Sequence, residues 1–532
     1  MLIVLTWLVM VVFAFATAML AVFGLHLYVL LFLFRRHGKT VRATQKSIVA
    51  EYLANTPESA WPLVTTQLPI YNESDVAERV MEAVAAMDYP LGRHEVQVLD
   101  DSTDHTRGVV DRAATRLAKR GVNVQVIRRS DRVGYKAGAL AEGLKSACGK
   151  YVAIFDADFV PPADFLRRAV ALLDGDDSLA CMQGRWTHLN RHESWLTEAQ
   201  ALGIDGHFAI EQGARAWNGL MMNFNGTAGM WRKRALEDRE VGGWSADTLT
   251  EDLDLSYRAQ LCGWKIGYCF DLACPAELPN TLAALKSQQR RWATGSIQTA
   301  RKLLPRIWRG KISLGEKLEA TLHLTHYSVA FWMLLLAVAA LPLSRIVGVW
   351  PGGPGWLRYG WFAVLLSTIA PSLVYSYARY LTGGRWSGFR TIPSMLVLGC
   401  GICVNNSLAF LQGLFVRGGE FVRTPKSGST QKSARSSTYL VPAGKLWIAE
   451  TSLGLYTLLT ACLYLCNVHS GISVFIFIYA AGFLCVGWFS RPRRTRVRRV
   501  NEVPAAYLSP MDRLEAEGAL GEVVGAVARS KS

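Results

Sequence analysis

Tyr151-Val152-Ala153-Ile154-Phe155-Asp156-Ala157-Asp158 is a short apolar run that ends in two carboxylates separated by one alanine. A run of this length bounded by polar residues reads as a buried strand. Asp after a strand commonly caps the next helix, so one such ending carries little meaning. The pattern recurs, however. Glu95 to Asp101 closes on Val98-Leu99-Asp100-Asp101-Ser102, and a later stretch reads Leu249-Thr250-Glu251-Asp252-Leu253-Asp254. With Leu63 to Ile70 and Val122 to Arg128, four strands are predicted, separated by helical spacing over Asp75 to Met87, Asp104 to Lys119 and Tyr135 to Ala147. Strands alternating with helices predict an α/β domain over residues 61–304, a mostly parallel sheet flanked by helices. Ligands bind such sheets at the carboxyl ends of strands, where these acidic residues fall.

Outside that domain the chain changes character. Leu2 to Phe34 contains no Lys, Arg, Asp or Glu, and about 33 residues of helix span roughly 50 Å against a hydrocarbon core of about 30 Å. Basic residues follow this run instead of preceding it, which argues for a membrane helix at 1–34 over a cleaved signal. Further apolar segments lie at 324–347, 361–380, 393–415, 446–466 and 472–489. The expected order is an anchor, a linker at 35–60, the α/β domain, an interfacial amphipathic stretch at 305–323, a membrane region at 324–489 and a basic tail at 490–532. Arg35 and the run Arg491 to Arg499 place both flanks in the cytoplasm by the positive-inside rule. The net charge of +16 is then a topology and headgroup signal, and no nucleic-acid partner is expected. Charge balance is kept if 393–415, with Asn405, Asn406 and Gln412, is interfacial or re-entrant, giving five crossings and an outside amino terminus.

Asp156 and Asp158 are spaced to share one hard divalent cation, Mg2+ or Mn2+, which completes its coordination with substrate phosphate oxygens. The pairing points to a nucleotide diphosphate substrate. No Gly-x-x-x-x-Gly-Lys-Ser/Thr loop occurs, and no Gly-x-Gly-x-x-Gly follows the first strand, which disfavours P-loop ATP hydrolysis and dinucleotide redox chemistry. The single Cys-x-x-Cys, Cys400 to Cys403, lies in an apolar segment without a second pair and does not suggest zinc.

The stretches Gln67-Leu68-Pro69-Ile70-Tyr71-Asn72-Glu73, Asp100-Asp101-Ser102-Thr103-Asp104, Gly134-Tyr135-Lys136-Ala137-Gly138, Phe155-Asp156-Ala157-Asp158, Phe224-Asn225-Gly226-Thr227-Ala228-Gly229, Thr250-Glu251-Asp252 and Gln288-Gln289-Arg290-Arg291-Trp292 together resemble the family 2 glycosyltransferases. Within them they resemble the cellulose synthase superfamily, nearest to the cellulose synthase-like A and C branches that make mannan, glucomannan or glucan backbones of cell walls. The resemblance implies a nucleotide-sugar-binding domain of GT-A type inserted between transmembrane helices. It implies that Asp100 and Asp101 lie at the nucleotide, that Lys136 positions the donor, and that Asp156 and Asp158 hold the metal. Asp252 would be the catalytic base, with Thr250 and Glu251 beside it. Asn225, Gly226 and Thr227 would bind substrate, as would Gln288, Arg291 and Trp292, whose motif marks processive members. Trp292 offers a face for a pyranose ring, and spacings of three and four put the triad on one helix face. Phe421-Val422-Arg423-Thr424-Pro425-Lys426 is similar to the family's gating motif, with Arg423 where that motif has Val, and suggests a mobile loop at 417–440.

The expected function is processive, inverting transfer from GDP-mannose, UDP-glucose or GDP-glucose to a β-1,4-linked polysaccharide, with passage of the product across an inner or plasma membrane. A non-processive transferase acting on a lipid or polyprenyl phosphate, a chitin- or hyaluronan-type synthase, and a transporter with a regulatory nucleotide-binding domain remain alternatives.

Overall fold

The computed structural model describes residues 2–349, 356–384, 386–419, 424–428, 439, 444–466 and 470–492. The basic tail from 493 onward, residues 421–423 of the gating motif and most of the loop at 417–440 lie outside these residues.

The chain begins with α1 (Leu2–Asn55) and enters β1 (Val64–Ile70), α2 (Ala77–Ala85), β2 (His94–Asp100), α3 (Thr106–Lys119), β3 (Val124–Ile127), α4 (Tyr135–Ser146), β4 (Tyr151–Ile154) and α5 (Phe165–Asp174). It continues through β5 (Leu179–His188), α6 (Trp195–Gly206), α7 (Gln212–Ala216), β6 (Gly229–Arg232), α8 (Lys233–Leu236), α9 (Glu251–Leu261) and β7 (Lys265–Ala276). Helices then follow as α10 (Leu282–Arg309), α11 (Leu314–Thr325), α12 (Ser328–Val349), α13 (Trp356–Leu381), α14 (Ile392–Phe415), α15 (Leu446–Cys466) and α16 (Ser470–Phe489).

The strands form one sheet in the order β3-β2-β1-β4-β6-β5-β7. The pairs β1–β2, β1–β4, β2–β3 and β5–β7 are parallel, whereas β6 runs antiparallel to β4 and β5. Register explains why the acidic ends meet. Ile70 is opposite Asp100 and Gln67 is opposite Ile154, so β1, β2 and β4 end on the same edge. Gly229 at the start of β6 is opposite Ile154, which brings the loop Asn225–Ala228 to that edge as well. One apolar core joins α2, α3 and α5 to the sheet through Val80, Val84, Val110, Leu117, Phe165 and Leu173. The other collects Leu140, Ile154, Phe224, Trp231 and Leu255 together with Leu30 and Phe34 of α1 and Val374 and Ala378 of α13.

That second core corrects one boundary. The expected separation of an anchor at 1–34 from a linker at 35–60 is replaced by a single helix, Leu2–Asn55, which runs on into the α/β domain. Arg42 pairs with Asp271 at 2.6 Å, Gln45 donates to the Tyr268 carbonyl at 2.8 Å, and Ile48, Val49 and Tyr52 pack on the first core. Helix stability after the apolar run comes from this packing rather than from local pattern.

Among the described residues, Val4–Asn55, Phe389–Phe415 and Leu446–Cys466 are long and apolar enough to cross a membrane. Leu314–Thr325 and Ser328–Ser344 meet the same test only as a pair bent by 65°. The segment expected to be interfacial at 393–415 is one unbroken helix, with Asn405 and Asn406 buried and Asn405 donating to the Lys286 carbonyl at 3.0 Å.

Candidate active site

A cavity at the shared strand edge is lined by Tyr71, Asp101, Arg132, Lys136, Asp156, Asp158, Asn225, Gly226, Thr250, Glu251, Asp252, Gln288, Arg291 and Trp292. Asp101, Asp156 and Asp158 follow strands that end on that edge, Asn225 and Gly226 precede β6, Lys136 and Asp252 stand in the first turns of α4 and α9, and Gln288, Arg291 and Trp292 reach the cavity from along α10. Lys136 stands in the first turn of α4, entered through Gly134 at φ 74° and Tyr135 at φ 48°. Left-handed geometry at a bulky residue is rare, and here it turns the chain sharply from the loop into the helix that carries the lysine. The Lys136 ammonium reaches Asp156 Oδ1 at 2.5 Å and the Gly226 carbonyl at 2.8 Å. Burial works against its charge, but Asp156, Glu251 and Asp252 outweigh burial and raise its pKa.

Asp156 and Asp158 each face a cation. Asp156 meets Lys136, and Asp158 Oδ2 lies 2.8 Å from the Lys426 ammonium. Burial and the neighbouring Asp158 carboxylate raise the Asp156 pKa against the pull of Lys136. Among the described residues no group of three His, Cys, Asp or Glu gathers into a complete metal cage. Two carboxylates on one cavity wall fit a divalent ion whose other ligands are phosphate oxygens and water, the mode natural to magnesium.

Asp252 opens α9. Thr250 holds the N-cap position without capping by its side chain; its hydroxyl lies 3.3 Å from that of Thr299 instead. Asp252 Oδ1 accepts from the Leu253 amide at 2.9 Å. Gly226, at φ 78°, lies so close that an added Cβ would stand 3.0 Å from Asp252 Oδ2, so glycine here lets the loop approach the carboxylate. Burial and the adjacent Glu251 charge push the Asp252 pKa up to about 7, opposed by Lys136. A carboxylate poised there accepts a proton more effectively than one near its ordinary value.

Gln288, Arg291 and Trp292 share α10 and all line the cavity. Burial lowers the Arg291 pKa, while Glu251, Asp156, Asp252 and Asp158 raise it. Two expected residues fall elsewhere. Asp100 is buried behind the edge, accepting from Arg128 at 2.8 Å and from the Ser102 amide at 3.0 Å. Thr227 is fully buried, with its hydroxyl accepting from the Asp156 amide at 2.8 Å, so it braces the carboxylate strand.

Sequence reading missed several others. Arg129 clamps Asp101 with contacts of 3.1 and 2.5 Å, and Arg132 lies 3.2 Å over the Tyr71 ring. The Arg128-Arg129 pair at the end of the third predicted strand was the available signal. Glu277 is buried, pairs with Arg79 at 3.1 Å, and accepts from the Ser427 amide at 2.7 Å. Thr424 and Lys426, from the expected gating motif, line the cavity, and Lys426 also donates to the Glu277 carbonyl. No local pattern marks Glu277, because its partners lie far away in the chain.

Residues 62–295 match the family described as glycosyltransferase like family 2. Glucomannan 4-beta-mannosyltransferase 7 of Arabidopsis thaliana is 34% identical over 447 residues, 81% of this chain and 77% of the relative. The chain belongs to the family 2 glycosyltransferases. Glucomannan 4-beta-mannosyltransferase 1 of Oryza sativa subsp. japonica is likewise 34% identical, over 81% of this chain and 82% of its own length. Identity rises to 43% with glucomannan 4-beta-mannosyltransferase 2 of Arabidopsis thaliana, over 48% of this chain, and that match spans about half the relative's length, 48%. A solved structure, mannosyltransferase PcManGT from Pyrobaculum calidifontis in complex with GDP-Man and Mn2+, aligns with 74% of this chain and 99% of its own at a TM-score of 0.45 and 20% identity. As a member of this family the chain is a glycosyltransferase, and its catalytic domain is a GT-A-like fold with a mostly parallel sheet.

Proposed function

We propose that this glycosyltransferase is processive and inverting, adding hexose from a nucleotide-diphosphate sugar to a growing β-1,4-linked polysaccharide of mannan or glucomannan type. The observation that carries the reading is one cavity holding Asp252, with its pKa near 7, beside the Asp156 and Asp158 pair and the Gln288, Arg291 and Trp292 face. Similarity to glucomannan 4-beta-mannosyltransferases over most of the chain supports the product class.

Asp252 takes the proton of the acceptor hydroxyl as that oxygen attacks the anomeric carbon opposite the diphosphate. The new C–O bond forms while the bond to diphosphate breaks, and the nucleoside diphosphate leaves with the electron pair. Lys136 and Arg291 offset charge growing on the leaving group. A divalent ion held by Asp156 and Asp158 would supply further stabilisation of that charge when bound. Trp292 presents its ring to the acceptor sugar, and the finished end advances toward the membrane helices. The catalytic domain faces the cytoplasm in this reading, and donor and metal are GDP-mannose or a glucose nucleotide with Mg2+ or Mn2+.

The deciding experiment incubates membranes carrying the protein with labelled GDP-mannose, UDP-glucose and UDP-N-acetylglucosamine, then digests the product with linkage-specific hydrolases. Long product degraded by β-1,4-mannanase supports the proposal. A single sugar on a lipid, N-acetylglucosamine polymer, or nucleotide binding without turnover would replace it by the corresponding alternative.

A further inference from the structure

Trp186 has no place in the mechanism above, yet it occupies the cavity. It stands near the end of β5, in the β6–β5–β7 half of the sheet, away from the β3–β2–β1 half that carries Asp101 and its arginine clamp. Its ring stacks on Phe208, with centroids 4.6 Å apart at 18°, and meets the edge of Phe159 at 5.1 Å. Trp292 is its next aromatic neighbour, at 6.4 Å and 56°. One face of the indole is therefore backed, and Trp186 and Trp292 line the same cavity.

The backing has an unusual origin. Phe208 belongs to a π-helical turn, His207–Glu211, inserted between α6 and α7. Such turns place an extra residue in a helix and recur at functional sites. The same turn brings His207 Nε2 to 3.1 Å from Gln212 Nε2 and to 3.4 Å from the side-chain amide of Asn225, itself a cavity residue. The His207 side chain keeps 29% of its surface exposed. Among the described residues, the Trp186 indole Nε1 and Gln212 Oε1 are buried with no hydrogen-bond partner. Buried polar atoms are nearly always satisfied, and unsatisfied ones signal a missing partner. The turn packs against α1 and α13, and α6 packs against α13 and α14.

The geometry points to Trp186 as a second acceptor subsite beyond Trp292, which takes an internal hexose of a β-linked oligosaccharide by stacking on the indole that Phe208 backs. This rests on the proposed function and deepens it: the subsite holds the chain between the base and the membrane helices, so it governs retention of the polymer and not capture of the donor.

The test uses the full-length protein in detergent with nucleoside diphosphate and Mg2+, and measures binding of mannotetraose and cellotetraose by saturation-transfer NMR, alongside nucleotide affinity and product length. Trp186→Leu should weaken tetrasaccharide binding by about tenfold, raise its KM with little change in kcat, and shorten the product, while nucleotide affinity stays within about twofold. Trp186→Phe keeps the stack on Phe208 but removes the N–H. It should show a smaller loss of about threefold, which keeps the test decisive if the leucine variant does not fold. Unchanged tetrasaccharide affinity and product length in a folded Trp186 variant would overturn the subsite and leave the proposed function standing. Tetrasaccharide binding that depends on Trp186, in a protein that makes no polymer from any sugar nucleotide, would overturn the proposed function and leave the subsite. A wild-type protein that binds neither tetrasaccharide overturns the subsite.

Discussion

Asp252→Asn separates the proposed catalytic role of this carboxylate from its cost to the fold. Asparagine keeps the size and the Oδ1 acceptor that meets the Leu253 amide at 2.9 Å, and removes only the ability to take a proton. Loss of a general base lowers turnover by about 10² to 10⁴, roughly 3 to 5 kcal/mol of barrier. Stability should move the other way. Burial and Glu251 raise the Asp252 pKa from 3.8 to about 7, so the folded protein holds a proton that the unfolded chain has released. The resulting penalty is absent below about pH 4, grows between about pH 4 and 7, and is complete above about pH 7. A shift of about three units sets a ceiling of ~4 kcal/mol, reduced to ~1–3 kcal/mol because water reaches the open side of the cavity. The variant should therefore melt at higher temperature than wild type at about pH 8, with the gain shrinking toward about pH 4. Wild-type transfer should rise with pH through about 7 as the base ionises, and a bound divalent ion should move that limb downward. Initial rates with labelled donor and thermal melts at both pH values test the reasoning together. Near-normal turnover in Asp252→Asn, or a variant less stable than wild type at about pH 8, would refute it.

Further outcomes follow from the rest of the cavity. Removing divalent ions should abolish transfer and Mg2+ or Mn2+ should restore it, because Asp156 and Asp158 share one wall; full activity in a protein shown to be metal-free contradicts the metal role. Trp292→Ala should shorten or abolish polymer more than it weakens nucleotide binding, and a variant that loses donor affinity alone would show that the ring serves the nucleotide instead. A cysteine at Ser429, outside the described residues but two positions after the Ser427–Glu277 contact, should resist an impermeant reagent on intact cells. It should react in inverted membranes, less so with donor nucleotide bound, and labelling from outside would place this loop on the other face.

Much of the cavity edge was legible in the sequence because it depends on short-range pattern. The predicted strands at 63–70, 95–101, 122–128 and 151–156 correspond to Val64–Ile70, His94–Asp100, Val124–Ile127 and Tyr151–Ile154. Apolar periodicity and the side chains that interrupt it are local properties. Helical spacing likewise placed Gln288, Arg291 and Trp292 on a common face, and all three line the cavity. The acidic strand ends were read as a group, and Asp101, Asp156, Asp158 and Asp252 do meet.

Tertiary structure decided which of two adjacent residues faces the cavity and which is buried behind it. Neighbours in an extended chain point to opposite sides, so Asp101 reaches the cavity while Asp100 turns inward to Arg128. Only packing could show that α1 continues to Asn55, since residues past the apolar run are held by Asp271, Tyr268 and the first core. The contacts of Lys426 with Asp158, of Glu277 with Ser427, and of Trp186 with Phe208 and Trp292 join segments with no shared pattern in the chain. Sequence determined the chemistry available at each strand end, because residue type and local period are written there. The fold alone determined which of those groups stand within reach of one another, because distance across a packed sheet depends on register and helix packing that no short stretch encodes.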